Sequence, residues 1–137
     1  MHIEVTGTPD FRFKAKSGNG YAFEIGASKS IGGDESGFRP MELVLAALAS
    51  CSGIDAVNIL KKSRVPFTSI DIEVDGERKD ATPAPFTKIT VTFKIHGEGV
   101  DRAKAEKAVS LSMEKYCSVS ASLDPNISVA SAVVLDS

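Results

Sequence analysis

A chain of 137 residues with 42% hydrophobic and 25% charged side chains and a formal net charge of −2 has the make-up of an ordinary globular domain. Acids and bases are interspersed, which excludes the basic footprint that a dedicated nucleic-acid binder needs to displace phosphate counterions. The longest wholly apolar run, Leu43 to Ala49, falls short of the ~20 residues of a membrane span, and Met1-His2-Ile3-Glu4 brings an early acid and no apolar leader. The expectations are one domain over residues 1–137, no nucleic acid, no membrane, and a cytoplasmic location.

Ile3 and Val5 predict a first strand. Phe11, Phe13 and Ala15 alternate with Arg12, Lys14 and Lys16, and Tyr21, Phe23 and Ile25 alternate with Ala22 and Glu24. Two period-2 segments flanking Ser17-Gly18-Asn19-Gly20 predict a β-hairpin. Ser28 to Gly37 is a polar, glycine-bearing loop. Pro40-Met41-Glu42 then opens a helix, because proline suits the first turn and an acid there complements the helix dipole. Lys61, Lys62, Arg64 and Pro66 mark its end, so the helix is expected over 40–62. Its Leu43–Ala49 part is apolar around the whole circumference and needs cover on every side, from its own sheet and from something else such as a second subunit.

Phe67 to Val74 alternates as a strand, Asp75 to Pro85 is a charged, proline-bearing connection, and Ile89, Val91, Phe93 and Ile95 form the clearest strand of the chain. Asp101 caps a second helix whose stripe is Ala105, Ala108, Val109, Ser112, Met113 and Tyr116. Ser118 to Leu123 suits a short helical turn, and Ile127 to Leu135 a last strand. The expected fold class is α+β, mostly antiparallel, with a long central helix and a second, cysteine-bearing helix.

The candidate chemistry lies in Cys51 and Cys117. Cys51 sits mid-helix between two serines, and Cys117 ends the second helix where the next turn begins. In a reducing compartment two cysteines are more often catalytic, redox-active or simply buried than joined permanently. Free cysteine is among the most buried residue types, so packing is the competing reading. The two can be joined only if their Cα atoms approach within ~7 Å. His2 and His96 have no metal-ligand spacing to each other or to the cysteines. Gly18-Asn19-Gly20 and Gly32-Gly33 are turns that lack the spacing of a phosphate cradle.

The segment Gly32-Gly33-Asp34-Glu35-Ser36-Gly37-Phe38-Arg39-Pro40-Met41-Glu42-Leu43-Val44-Leu45-Ala46-Ala47-Leu48-Ala49-Ser50-Cys51 resembles the hallmark of the OsmC/Ohr family of osmotically inducible and organic hydroperoxide resistance proteins. Ile54-Asp55-Ala56-Val57-Asn58-Ile59-Leu60 is similar to its OsmC-like branch, and Glu114-Lys115-Tyr116-Cys117-Ser118-Val119 to the second hallmark. The resemblance implies an intertwined homodimer with interfacial sites, no metal or organic cofactor, an organic hydroperoxide substrate and an external dithiol reductant. It implies that Cys51 is the peroxidatic thiolate and Cys117 the resolving thiol.

The family's activating arginine comes from the hairpin region, where this chain has Arg12, Lys14 and Lys16; Arg39 is the other candidate. The family's glutamate follows the motif proline, a place that Met41 occupies here, with Glu42 next. Arg39 and Glu42 are therefore the candidate tuning pair. Along a straight helix Glu42 would lie ~13 Å and Arg39 ~18 Å from Cys51, so a kink or a partner subunit would have to bring either to the sulfur. Locally, the two also suit a helix-start acid and a loop cation. Asp55, one turn past Cys51, shares its face; it would raise the thiol pKa if unpaired, or position a cation if paired. The alternative function is a non-catalytic small-ligand binding protein with redox-sensitive or structural cysteines.

Overall fold

The computed structural model describes residues 1–136 and divides into two compact units, one running from Met1 to Val44 and the other beginning at Leu45, where the sequence reading expects one domain. In the first unit, β1 (Ile3–Gly7), β2 (Phe13–Ser17) and β3 (Ala22–Ile25) form an antiparallel sheet in that order. The register sets Val5, Ala15 and Phe23 side by side, and Gly7, Phe13 and Ile25 in the next row. Lys14 pairs with Glu24 and Thr6, and Lys16 with Glu4 and Ala22. Because side chains alternate across a strand, one side of the sheet is apolar and the other carries the charges.

The hairpin turn lies where the glycines placed it, closed by the Ser17 N–H donating to the Tyr21 carbonyl and the Gly20 N–H to that of Ser17. Phe11 departs from expectation. It closes a turn after Thr8-Pro9-Asp10 with φ of 63°, so the strand begins two residues later, at Phe13. The loop after β3 holds a single 3₁₀ turn, Lys29–Ile31. Gly37 (φ 69°) ends that loop against β3: a Cβ there would lie 2.4 Å from the Glu24 carbonyl oxygen, so only glycine allows the approach.

Helix α1 covers Pro40–Lys62, the span that the Pro, Glu and Lys signals delimit. Its first turn belongs to the N-terminal unit and the rest to the C-terminal one. There, β4 (Ser69–Arg78) pairs antiparallel with β5 (Phe86–His96), and β5 pairs with β6 (Ser128–Asp136). That last pairing is parallel. A parallel neighbour requires a crossover, which α2 (Arg102–Leu111), a π-helical turn at Ser112–Tyr116 and α3 (Ser118–Ser122) supply. Asp101 caps α2 as expected, its carboxylate accepting the Lys104 N–H at 3.0 Å.

The sheet's inner side is laid out by the register: Ile70, Ile95 and Leu135 in one row, Ile72, Phe93 and Val133 in the next. Ile89, Val91, Phe93 and Ile95 are fully buried. Leu60 of α1, Ala105 and Ala108 of α2, Val65 and Ile95 form one core cluster. Along α1 the buried stripe is Leu48, Ser52, Ala56 and Leu60, at the i, i+4 spacing of a helix face, and Gly53 brings the backbone close to Ile72. Of the α2 stripe, Ala105, Ala108, Val109 and Ser112 are buried, whereas Tyr116 is half exposed because the π-helical turn rotates it off the face. Strand β4 outruns its expected end at Val74: Asp75, Gly76 and Glu77 keep pairing with β5 although the apolar alternation has stopped.

Helix α1 is more apolar overall than its longest uninterrupted run suggests. It contains an 18-residue stretch of mean hydropathy 1.8, apolar enough by length and composition to cross a membrane, and only 28% of that stretch is buried in the chain. Counting uninterrupted apolar residues misses this because Ser50, Ser52 and Gly53 break the run without making it polar on average.

Candidate thiol site

Cys51 lies on α1 one position before the buried Ser52, on the flank of the stripe that faces the sheet, and is half buried. Ser52 Oγ donates to the Leu48 carbonyl at 2.7 Å and Ser50 Oγ to that of Ala46 at 2.8 Å. The serines beside Cys51 therefore satisfy their own helix and leave the sulfur to other partners. Asp55 follows one turn later, on the same face.

Cys117 reaches the same place from the crossover. The π-helical turn ends in a Cys117 N–H bond to the Ser112 carbonyl at 2.8 Å, and Cys117 then takes extended angles (φ −69°, ψ 109°) as the N-cap of α3. Its Sγ accepts the Ser120 N–H at 3.3 Å, and the residue is only 3% exposed. Burial pushes the Cys117 thiol up; the Ser120 N–H pulls the other way, and the neighbouring Cys51 sulfur adds to the rise.

The two sulfurs and a carboxylate oxygen of Asp55 all lie within 4.8 Å of one another. Two residues more than sixty positions apart, on helices that meet only through the tertiary fold, are thus brought together. Both cysteines are free thiols. Asp55 Oδ2 is buried and has no hydrogen-bond partner among the described residues. A cleft of about 440 Å³ opens beside Asp55 between Asn58, Lys62, Leu111 and Tyr116. A larger groove of about 850 Å³ borders Cys117 between Glu114, Asp124, Ile127 and Val129. The sequence reading flagged Asp55 through its i+4 spacing but left it out of the site; its convergence with Cys117 has no sequence signal.

The candidate tuning residues have their own local partners in the N-terminal unit. Arg39 Nη1 donates to the Ala27 carbonyl at 3.0 Å and Nη2 to the Glu35 and Gly37 carbonyls at 2.5 and 2.8 Å. Its Nε lies 3.8 Å from Glu42 Oε1, which also accepts the Arg39 backbone N–H at 2.8 Å. Glu42 therefore closes the start of α1 from the N3 position, half of a capping box. Arg12 is bound to Asp34, Nε to Oδ2 at 3.0 Å. Lys14 and Lys16 stand on the charged side of the β1–β3 sheet.

Comparison with known proteins shows what the chain as a whole is similar to. The family model for OsmC-like protein matches residues 32–132, a stretch that includes both cysteines and Asp55. Protein YhfA of Escherichia coli K12 is 39% identical over 90 residues, covering 66% of this chain and 67% of that protein. The organic hydroperoxide resistance protein OhrB of Bacillus subtilis is 30% identical over 98 residues, covering 69% of this chain and 68% of its own. Among solved structures, that of a hypothetical protein from Aquifex aeolicus VF5 superposes with a TM-score of 0.85 at 32% identity, over 98% of this chain and 94% of that one.

Proposed function

Because the chain belongs to the OsmC-like protein family, we propose that it is a cysteine-based, thiol-dependent peroxidase that reduces organic hydroperoxides. The observation that carries this reading is the approach of Cys51 and Cys117, half-buried and buried respectively, to within 4.8 Å. Cys51 is the more accessible sulfur and acts as nucleophile. Its thiolate attacks the distal peroxide oxygen, the O–O bond breaks, and the alkoxide leaves as alcohol with a proton; the sulfur becomes a sulfenic acid. Cys117 then attacks that sulfur, its proton leaves with the departing hydroxide as water, and the disulfide forms. An external dithiol returns both sulfurs to thiols and is itself oxidised.

The raised pKa of Cys117 suits the division of labour, because a buried neutral thiol competes poorly for peroxide yet waits beside the sulfenic acid. The thiolate of Cys51 calls for a cation. The family resemblance assigns that role to Arg39 supplied across the proposed dimer, because within one chain its guanidinium is held by three carbonyls and Glu42 at the start of α1. The working unit is proposed to be a homodimer in a reducing, cytoplasmic setting. The support is open apolar surface: Ile3, Val5, Phe13 and Phe23 are about half exposed, and much of apolar α1 is uncovered by its own chain.

The test treats fully reduced protein with one equivalent of cumene hydroperoxide, and separately of hydrogen peroxide, and follows thiol content and intact mass. The expected result is loss of both thiols as an intrachain disulfide, faster with the organic peroxide. Thiols inert to both would overturn the reading and turn attention to the 850 Å³ groove beside Cys117 as a ligand-binding site.

A further inference from the structure

We propose that Cys51, Cys117 and Asp55 form a binding site for a thiophilic divalent cation of the zinc type in the reduced protein. The three donor atoms come from α1 and from the start of α3 and lie within 4.8 Å of one another. In a tetrahedral zinc site, Zn–S bonds of ~2.3 Å and Zn–O bonds of ~2.1 Å set donor separations of roughly 3.5–3.8 Å. The cluster therefore needs to close by no more than roughly an ångström, which side-chain torsions supply.

The second observation is Asp55 itself. A carboxylate oxygen shielded from water with no donor is costly, and a bound cation supplies the missing partner. Two thiolates select a soft or borderline ion over magnesium or calcium, and three protein ligands leave a fourth position for water. The half-buried Cys51 and the cleft beside Asp55 give the ion a way in. Expecting no metal came from the isolation of His2 and His96 and from the family resemblance; this cluster uses neither histidine.

Binding displaces the protons that the two sulfurs still carry, that of Cys117 above all, so protons are released and no electron moves. Metal occupancy and the Cys51–Cys117 disulfide exclude each other, since both use the same sulfur electron pairs. Zinc would hold the reduced pair out of reach of oxidants.

The test uses the full-length, reduced, chelator-stripped protein and adds Co²⁺, then Zn²⁺. The expected result is one Co²⁺ per chain with near-ultraviolet thiolate-to-cobalt charge-transfer absorption, displaced by one equivalent of Zn²⁺. Cys51→Ser and Cys117→Ser should each abolish the band, and the near-isosteric Asp55→Asn should weaken binding at least tenfold. No band, or a band and affinity unchanged in Cys117→Ser or Asp55→Asn, would overturn the proposal. Proton release measured with a pH indicator in weak buffer needs no variant: at least one thiol proton per Zn²⁺, that of the buried Cys117, supports the site, and none overturns it. No peroxide enters this experiment, so its failure leaves the peroxidase reading standing, and inert thiols toward peroxide leave this one standing.

Discussion

The two three-stranded sheets obey the same alternation and meet different fates. In the β4–β6 sheet the inward residues Ile89, Val91, Phe93 and Ile95 are fully buried, roofed by α1 and α2. In the β1–β3 sheet the equally regular Ile3, Val5, Phe13 and Phe23 are 43–55% exposed. Period-2 patterning thus specifies which side of a sheet is apolar but not what covers it. The C-terminal unit supplies its own cover and, as a result, a rigid frame on which two distant sulfurs meet. The N-terminal unit offers a face that a second copy of the chain is proposed to close.

The largest expected effect lies in the C-terminal unit. Cys51→Ser should reduce peroxide consumption ~100-fold or more, since the thiolate is the nucleophile. Cys117→Ser should leave the first step and stop at the sulfenic acid, trapped by dimedone and seen by intact mass. Equal loss of the first step in both variants would break the assignment of roles. Within the N-terminal unit, Arg39→Lys removes the planar fork that holds three carbonyls, so amide protection over residues 28–37 is expected to fall; where a second copy supplies Arg39, Cys51 reactivity toward a thiol probe falls only at concentrations that form the dimer.

Stability sharpens the contrast. Phe93→Ala should cost about 3–5 kcal/mol in urea unfolding, as a fully buried aromatic leaves a cavity. Phe23 is 44% exposed and makes one edge-on contact with Phe38, 6.3 Å between ring centroids. Phe23→Ala should therefore cost only about 1 kcal/mol within a chain. If that residue lies at a subunit interface, the same variant lowers the apparent mass by light scattering on dilution. A large concentration-independent loss at Phe23 would mean that its cover comes from its own chain.

What could be read in advance follows the same division. The ends of α1 were legible because Pro40, Glu42 and Lys61–Lys62 act locally, through dipole and capping. So was the Asp101 cap. The parallel direction of β6 was not, because its alternation is the same whichever way it pairs with β5. Phe11 looked like a strand residue by polarity and is placed by the turn before it. At the site, both cysteines could be named from sequence, whereas the meeting of Asp55 with Cys117 depends on a π-helical turn that carries no apolar period.

A smaller effect tests how closely α1 packs on β4. A Cβ added at Gly53 would come within 2.5 Å of Ile72 Cδ1. Gly53→Ala gains about 1 kcal/mol in helix propensity and loses about 1–3 kcal/mol to overpacking, for a net cost near 1 kcal/mol. Ile72→Val removes the clashing methyl, so the double variant should be more stable than the sum of the two single changes. Strict additivity in urea unfolding would show that the helix sits further from the sheet.

The smallest effect belongs to the exposed clamp of the N-terminal unit. Asp34 accepts hydrogen bonds from Ser36, foremost, and from Arg12, and these hold its carboxyl well below the usual carboxylate range. A depressed folded-state pKa contributes stability above the ordinary carboxylate pKa and loses it as the pH falls through the lower value. Asp34 should therefore be among the last carboxylates to protonate in an NMR acid titration, and Asp34→Asn should make the loop at 28–37 exchange its amides faster at neutral pH. Because the pair lies at the surface, salt should shrink that difference. The β4–β6 sheet, held by burial, should show no change in amide protection in the same titration, and a change there would join two regions that otherwise respond separately.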